Sequence, residues 1–121
     1  KPVLATTMRA SARDVAAQLV RNEFSGMPVA ERDGTVVGIV TEADILRALA
    51  EGKALETLTA SDIMTAKPAS VDTETPITDV IKILQEHRIL RVPVTEREHL
   101  VGIISRSDII RAVLEPEFMA F

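Results

Sequence analysis

Apolar residues recur along this chain at the spacing of α-helices. Two segments place Val, Ile or Leu three or four positions apart, so these side chains share one helical face. Two further segments fit helices that end at Gly52 and before Pro116, because glycine and proline commonly follow a helix. The predicted helices are 11–23, 42–51, 76–88 and 106–114.

Between the helices of each half lie two short runs rich in β-forming residues. The first two runs are joined by Arg32-Asp33-Gly34-Thr35, which contains the Asp-Gly turn signal of a hairpin. We therefore expect two antiparallel hairpins. The predicted strands are 27–32, 36–40, 91–96 and 100–104.

The two halves are copies of one another. Residues 26–29 recur as 91–94, and 38–45 recur as 102–109. The second copy is one residue shorter between these blocks, where Glu98 stands in place of a longer turn. Each copy has the order helix, strand, strand, helix, and repeats of one unit indicate a fold built by packing copies together.

A boundary near residue 58 divides the chain into copy 1 (1–58, with a linker from residue 52) and copy 2 (59–121). Neither half is long enough to bury much apolar surface alone, so we expect the two to share one core. Packing the open faces of the two sheets around a pseudo-twofold axis achieves this. The expected fold class is α/β of the α+β type, with two pseudo-symmetric repeats.

The amino-acid composition disfavours several classes of function. The interior must be aliphatic, because 46% of residues are hydrophobic but only three are Phe and none is Tyr or Trp. A net charge of −4 and the lack of aromatic stacking platforms disfavour nucleic-acid binding. No segment is apolar enough to span a membrane and residues 1–3 lack a signal-peptide pattern, so we expect a cytoplasmic protein. The absence of cysteine excludes disulfides and thiolate metal sites.

The same short motif, Gly-apolar-apolar-Thr/Ser-x-x-Asp, ends the second strand of each copy. It contains Thr41 and Asp44 in copy 1, and Ser105 and Asp108 in copy 2. A helix start offers unpaired N–H groups to phosphate, and an Asp one turn later can accept bonds from ribose hydroxyls. The motif equally fits a helix cap in which the hydroxyl and the carboxylate satisfy backbone groups, without any ligand.

Catalysis is disfavoured. Hydrolysis needs a nucleophile beside an oriented base, and neither His87 nor His99 has a suitable partner in its sequence context. We interpret His87 as a cation near a helix C-terminus and His99 as a solvated turn residue, and we expect no metal site. The sequence predicts that the chain is not an enzyme.

Both copies resemble the CBS domain (cystathionine-β-synthase domain), and together they resemble a tandem CBS pair, or Bateman module. The similarity covers essentially the whole chain. It is carried by Ser25 to Val29 (SGMPV), Val37 to Ile45 (VGIVTEADI), Asp62 to Thr65 (DIMT), Val92 to Val94 (VPV) and Val101 to Asp108 (VGIISRSD). The resemblance implies two β-α-β-β-α repeats packed through their sheets.

CBS pairs can hold AMP, ADP, ATP or S-adenosylmethionine in the cleft between repeats, at up to two sites. By this resemblance one site contains Thr41, Asp44, Leu90 and Arg91, and the other Ser105, Asp108, Val3, Phe24 and Ser25. Arg91 occupies the position of a phosphate-binding arginine in AMP-sensing kinase γ subunits, although Leu90 stands where a His often precedes it. Gly26 takes this position in the other site, so we expect the Arg91 site to prefer phosphorylated ligands.

Simpler roles remain open for two of these residues. Arg91 also fits a solvated arginine at a strand edge, or one paired with Glu31 or Glu96. Phe24 fits an adenine flank or a core position.

Two functions follow from the resemblance. One is a sensor that needs no cofactor, binds an adenosyl ligand and relays this to an effector domain or partner. The alternative is a constitutive dimerisation scaffold in which both motifs are only helix caps. CBS pairs usually form disc-shaped dimers, so we expect a homodimer, with the acidic and then apolar segment 115–121 packing on a partner subunit.

Overall fold

The computed structural model describes residues 5–118, and side chains for residues 5–114. These residues form five α-helices, six β-strands and a 3₁₀ turn at Leu55–Thr57. The helices are α1 (Ala12–Asn22), α2 (Glu42–Ala50), α3 (Ala60–Ile63), α4 (Ile77–Glu86) and α5 (Arg106–Phe118). The strands are β1 (Gly26–Ala30), β2 (Val36–Thr41), β3 (Thr65–Ala66), β4 (Val71–Asp72), β5 (Arg91–Glu96) and β6 (His99–Ser105).

Each copy contains a hairpin with a parallel neighbour, which confirms the predicted fold class. In copy 2, β4 lies parallel to β5, and β5 is antiparallel to β6. In copy 1, β1 is antiparallel to β2, and Thr6 forms a parallel bridge to Val29 where β4 meets β5 in copy 2. Both hairpins carry a register shift at the same place, after Val29 and after Val94.

The helices of each copy cover one face of its own sheet. Each copy therefore has its own buried cluster, rather than the single shared core that we predicted. The first cluster contains Val15, Leu19, Met27, Val29, Val40, Ile45 and Ala60. The second contains Val71, Val80, Leu84, Val92, Val94 and Ile109.

The opposite faces of the two sheets are where the copies meet. Strand residues alternate between faces, so Pro28 points away from the core that holds Met27 and Val29, yet its side chain is fully buried. Pro93 in β5 is buried in the same way. The hairpin tips also join, since the Leu100 N–H donates to the Gly34 carbonyl at 2.8 Å.

The start of the predicted second copy packs on the first. Strand β3 pairs with β2, and Ala60 belongs to the first core cluster. Gly38 permits this contact, because a Cβ added there would lie 2.9 Å from the Thr65 carbonyl oxygen and closer still to Met64. Helix α3 and strand β3 thus pack on copy 1, and the chain reaches the sheet of copy 2 only at β4. The domain boundary near residue 58 stays a prediction.

The prediction that the last helix ends before Pro116 is wrong, because α5 extends to Phe118. A proline so near the C-terminus removes one helical hydrogen bond without stopping the final turn. The turn of the second hairpin begins after residue 96 as predicted, but its second strand begins one residue earlier than predicted. The two-residue turn is Arg97-Glu98, with positive φ angles of 53° and 69°, so His99 is the first residue of β6.

Candidate functional site

A cleft of about 480 Å³ lies where the ends of β1 and β2 face copy 2. Its volume falls in the range of small-molecule sites, roughly 300–1,000 Å³. Copy 1 contributes Thr41, Asp44 and Arg47 at the start of α2, and copy 2 contributes the segment from His87 to Arg91 that joins α4 to β5. The apolar part of the lining includes Ile39, Ile89, Leu90 and Pro93.

Thr41 and Asp44 form a complete capping box at the start of α2. The Thr41 N–H donates to the Asp44 carboxylate at 2.8 Å, and the Asp44 N–H donates to the Thr41 hydroxyl at 3.3 Å. The Thr41 hydroxyl also donates to this carboxylate, and Arg47 binds its other oxygen at 3.0 Å. Asp44 is only 3% exposed, so the protein itself satisfies most of this carboxylate.

The amide groups of the α2 start are largely occupied as well. Besides the Asp44 N–H, the Glu42 N–H donates to the Ser25 carbonyl at 2.9 Å. The helix start therefore offers a phosphate fewer free donors than the motif suggested. A phosphate in this cleft would depend mainly on the arginine side chains.

The corresponding motif in copy 2 has the same two backbone bonds in a different setting. The Ser105 N–H donates to Asp108 at 2.9 Å, and the Asp108 N–H donates to the Ser105 hydroxyl at 3.1 Å. The Asp108 side chain is 48% exposed, however, and Arg111 approaches it only to 3.8 Å. Neither Ser105 nor Asp108 lines the cleft.

Arg91 reaches across from copy 2 to copy 1. Its guanidinium carbon lies over the Phe24 ring, 4.5 Å from the centroid, and its side chain also lines the cleft. Within the described residues Arg91 has no carboxylate within 4 Å, so the pairing with Glu31 or Glu96 that we considered is not formed.

The structure thus brings together Thr41, Asp44, Leu90 and Arg91, as predicted for the first site. The cleft also includes Ser25, which the family resemblance assigns to the second site. Phe24 packs on the first core cluster beneath Arg91 rather than on the cleft wall. Val3 and the side chains of 115–121 fall outside the described part of the chain, and the assignment of ligand contacts stays a prediction.

Sequence reasoning missed three basic residues of the cleft. Arg47 lies one helical turn after Asp44, a spacing that could have indicated it. His87 and Arg88 follow α4, and Arg88 has a left-handed φ of 52° that ends the helix. No sequence signal showed that this turn would face the other copy.

The described residues contain neither a metal-binding cluster nor a helix that could span a membrane. No group of three or more His, Asp or Glu side chains in this part of the chain is placed to hold a metal ion. None of the helices described there has the length and apolar character needed to cross a bilayer.

The CBS domain family model matches residues 1–51 and 60–115. This chain belongs to the CBS-domain family. It is 32% identical to Hypoxic response protein 1 of Mycobacterium tuberculosis over 108 residues, which cover 88% of this chain and 76% of that protein. The predicted tandem CBS pair is thereby confirmed.

Solved CBS structures share the fold. The CBS domain protein PAE2072 of Pyrobaculum aerophilum, complexed with AMP, has a TM-score of 0.84 and 29% identity, covering 98% of this chain and 93% of that one. CBSX2 of Arabidopsis thaliana in complex with AMP has a TM-score of 0.82 and 27% identity, covering 95% and 90%.

Curated relatives are often longer than this chain. It spans 66% of a Bacillus subtilis relative, and only 22% of a homoserine O-acetyltransferase of Methanococcoides burtonii to which it is 34% identical. CBS pairs thus occur both in short proteins and as parts of enzymes.

Proposed function

We propose that this CBS pair is a regulatory module that binds an adenine nucleotide in the cleft between its copies. The supporting observation is the cleft itself, which joins an apolar wall to three arginines, Arg47, Arg88 and Arg91. Two relatives of the same fold are complexed with AMP. The lining also contains Glu42 and Asp44, but Asp44 is paired with Arg47, so the three arginines outweigh the carboxylates and favour AMP, ADP or ATP over S-adenosylmethionine, which carries a cationic sulfonium.

Each part of the cleft has a role in this proposal. Arg91 and Arg88 bind phosphate oxygens, because within the described residues neither has an ion-pair partner to give up. Arg47 is 61% exposed and can keep its bond to Asp44 while facing the ligand. Ile89 and Leu90 cover the adenine. Asp44 accepts from one ribose hydroxyl with the single lone pair that its three protein bonds leave on Oδ1.

A ligand held this way bridges the two copies and favours one relative orientation over others. An effector domain or partner that contacts both copies would respond to that shift in population. The ligand is bound and released unchanged, so we propose that this module is not an enzyme.

Calorimetric titration with AMP, ADP, ATP and S-adenosylmethionine tests the proposal. We expect binding of at least one nucleotide, and a loss of about tenfold or more in its affinity for Arg91→Gln and Arg88→Gln, because charge-assisted hydrogen bonds contribute about 1.5–3 kcal/mol. Arg21→Gln is the matched control, since it removes the same charge from an exposed position of α1 that lies outside the cleft and outside both predicted sites. No binding, or equal binding by all four proteins, would reject the proposal.

A second candidate function, the dimerisation scaffold, is favoured by exposed apolar side chains at matching positions of α2 and α5. Leu46 is 64% exposed and Ile110 61%, while Leu49 is 50% and Val113 69%. Exposed apolar side chains on equivalent helices fit burial against a second copy in a twofold dimer. Sedimentation of Leu46→Glu/Ile110→Glu tests it: we expect a monomer, whereas an unchanged sedimentation coefficient would exclude this face.

A further inference from the structure

Phe24 and Arg91 form a cation–π contact between the two copies. It links the end of α1 in copy 1 to the first residue of β5 in copy 2. Phe24 is held firmly, because Glu23 has a left-handed φ of 55° and the Phe24 N–H donates to the Leu19 carbonyl at 2.9 Å. This pattern, with an apolar residue packed back on the last helical turn, is a Schellman motif.

The Phe24 side chain packs against the first core cluster and presents its ring to Arg91. A carboxylate in this position would hold the guanidinium but cancel its charge. An aromatic ring attracts the cation through its quadrupole and leaves the positive charge available to an anion. Arg91 is thus held at the cleft with its charge intact.

The opposite side of the pseudo-twofold axis lacks this arrangement. Ile89 occupies the position equivalent to Phe24, with the same turn and an N–H donated to the Leu84 carbonyl at 3.0 Å. Gly26 occupies the position equivalent to Arg91. Of the two equivalent positions, only the one beside the described cleft therefore combines an aromatic ring, Phe24, with a cation, Arg91.

We propose that Phe24 is a positioning residue that orients Arg91 and so sets the preference of the cleft for phosphorylated over unphosphorylated adenine nucleosides. This inference rests on the proposed nucleotide binding. Phe24 does not line the cleft, so its effect passes through Arg91 and is limited to ligands with a phosphate.

The test compares dissociation constants of AMP and adenosine by calorimetry for the wild type, Phe24→Leu and Phe24→Tyr. We expect Phe24→Leu to weaken AMP binding about two- to fivefold, because the loss of positioning is limited by the strength of a partly exposed cation–π contact, and to leave adenosine binding unchanged. Phe24→Tyr keeps a ring face and should retain the wild-type ratio. In an Arg91→Gln background, Phe24→Leu should have no further effect on AMP.

Other outcomes would show whether the role of Phe24 or nucleotide binding itself is wrong. A purely structural role for Phe24 would weaken AMP and adenosine alike, or would persist in the Arg91→Gln background, and either result overturns the inference. An unchanged ratio in Phe24→Leu overturns it too, while nucleotide binding itself still stands. Failure of the wild type to bind AMP would overturn both the inference and the proposed function.

Discussion

The two Thr/Ser-x-x-Asp motifs permit a measurement of what burial, together with the closer arginine partner of Asp44, adds to a helix cap. We predict that Asp44→Ala destabilises the protein much more than Asp108→Ala, although the two carboxylates accept equivalent bonds from the preceding hydroxyl residue's N–H. Both substitutions place Ala at the same helical position, so the change in helix propensity cancels in the comparison.

The magnitudes follow from the surroundings of each carboxylate. Losing the capping-box carboxylate removes its bond from the N-cap N–H and costs about 0.5–1.5 kcal/mol at either position, the net value of one hydrogen bond. At Asp44, which is 3% exposed, water cannot readily replace the lost acceptor, and leaving a donor unsatisfied adds about 1–3 kcal/mol. Asp108 has a 48% exposed side chain, so water replaces it at little cost. We expect losses of about 2–4 kcal/mol for Asp44→Ala and about 1 kcal/mol for Asp108→Ala.

Urea unfolding followed by far-ultraviolet circular dichroism measures both values, which suits a chain without Trp or Tyr. The difference of about 2 kcal/mol corresponds to midpoints separated by roughly 1 M urea. Asp44→Asn is the control of similar shape, and it should fall between the wild type and Asp44→Ala because its amide oxygen can still accept. Equal midpoints for Asp44→Ala and Asp108→Ala would refute the argument from burial.

Three further predictions concern the frame around the cleft. Gly38→Ala should cost about 1–3 kcal/mol in urea unfolding because its Cβ would overlap β3, whereas Gly102→Ala, with its nearest atom at 3.9 Å, should leave the midpoint almost unchanged. Arg97→Asn with Glu98→Gly should raise the melting temperature, because both positions have positive φ and Asn-Gly adopts such a turn with less strain. A lower melting temperature would contradict this. The pKa of Asp62 lies below its usual 3.8, because its carboxylate accepts hydrogen bonds from the backbone and then the side chain of Thr59. The ionised carboxylate therefore stabilises the fold above about pH 4. This contribution is lost as the pH falls through the lowered pKa. Asp62→Asn should therefore be less stable than the wild type at neutral pH and equal to it in acid, and a difference that does not depend on pH would contradict this.

The sequence by itself determined the repeat, the two hairpins and the caps. The repeat is visible as similarity between the two halves. The hairpins and the caps depend on bonds between residues a few positions apart, so the local pattern is enough to predict them. The bonds from Thr41 to Asp44 and from Ser105 to Asp108 form as the motif indicates. The family resemblance then placed Arg91 at the cleft, where the structure also has it.

Only the tertiary structure decided how the two copies differ. Asp44 is buried and Asp108 is exposed because their surroundings come from distant parts of the chain. The same applies to Arg88, which joins the cleft through a left-handed turn, and to the contact of Phe24 with Arg91. Burial and charge at a site depend on which surfaces meet, and this packing is set by the whole fold rather than by any one segment.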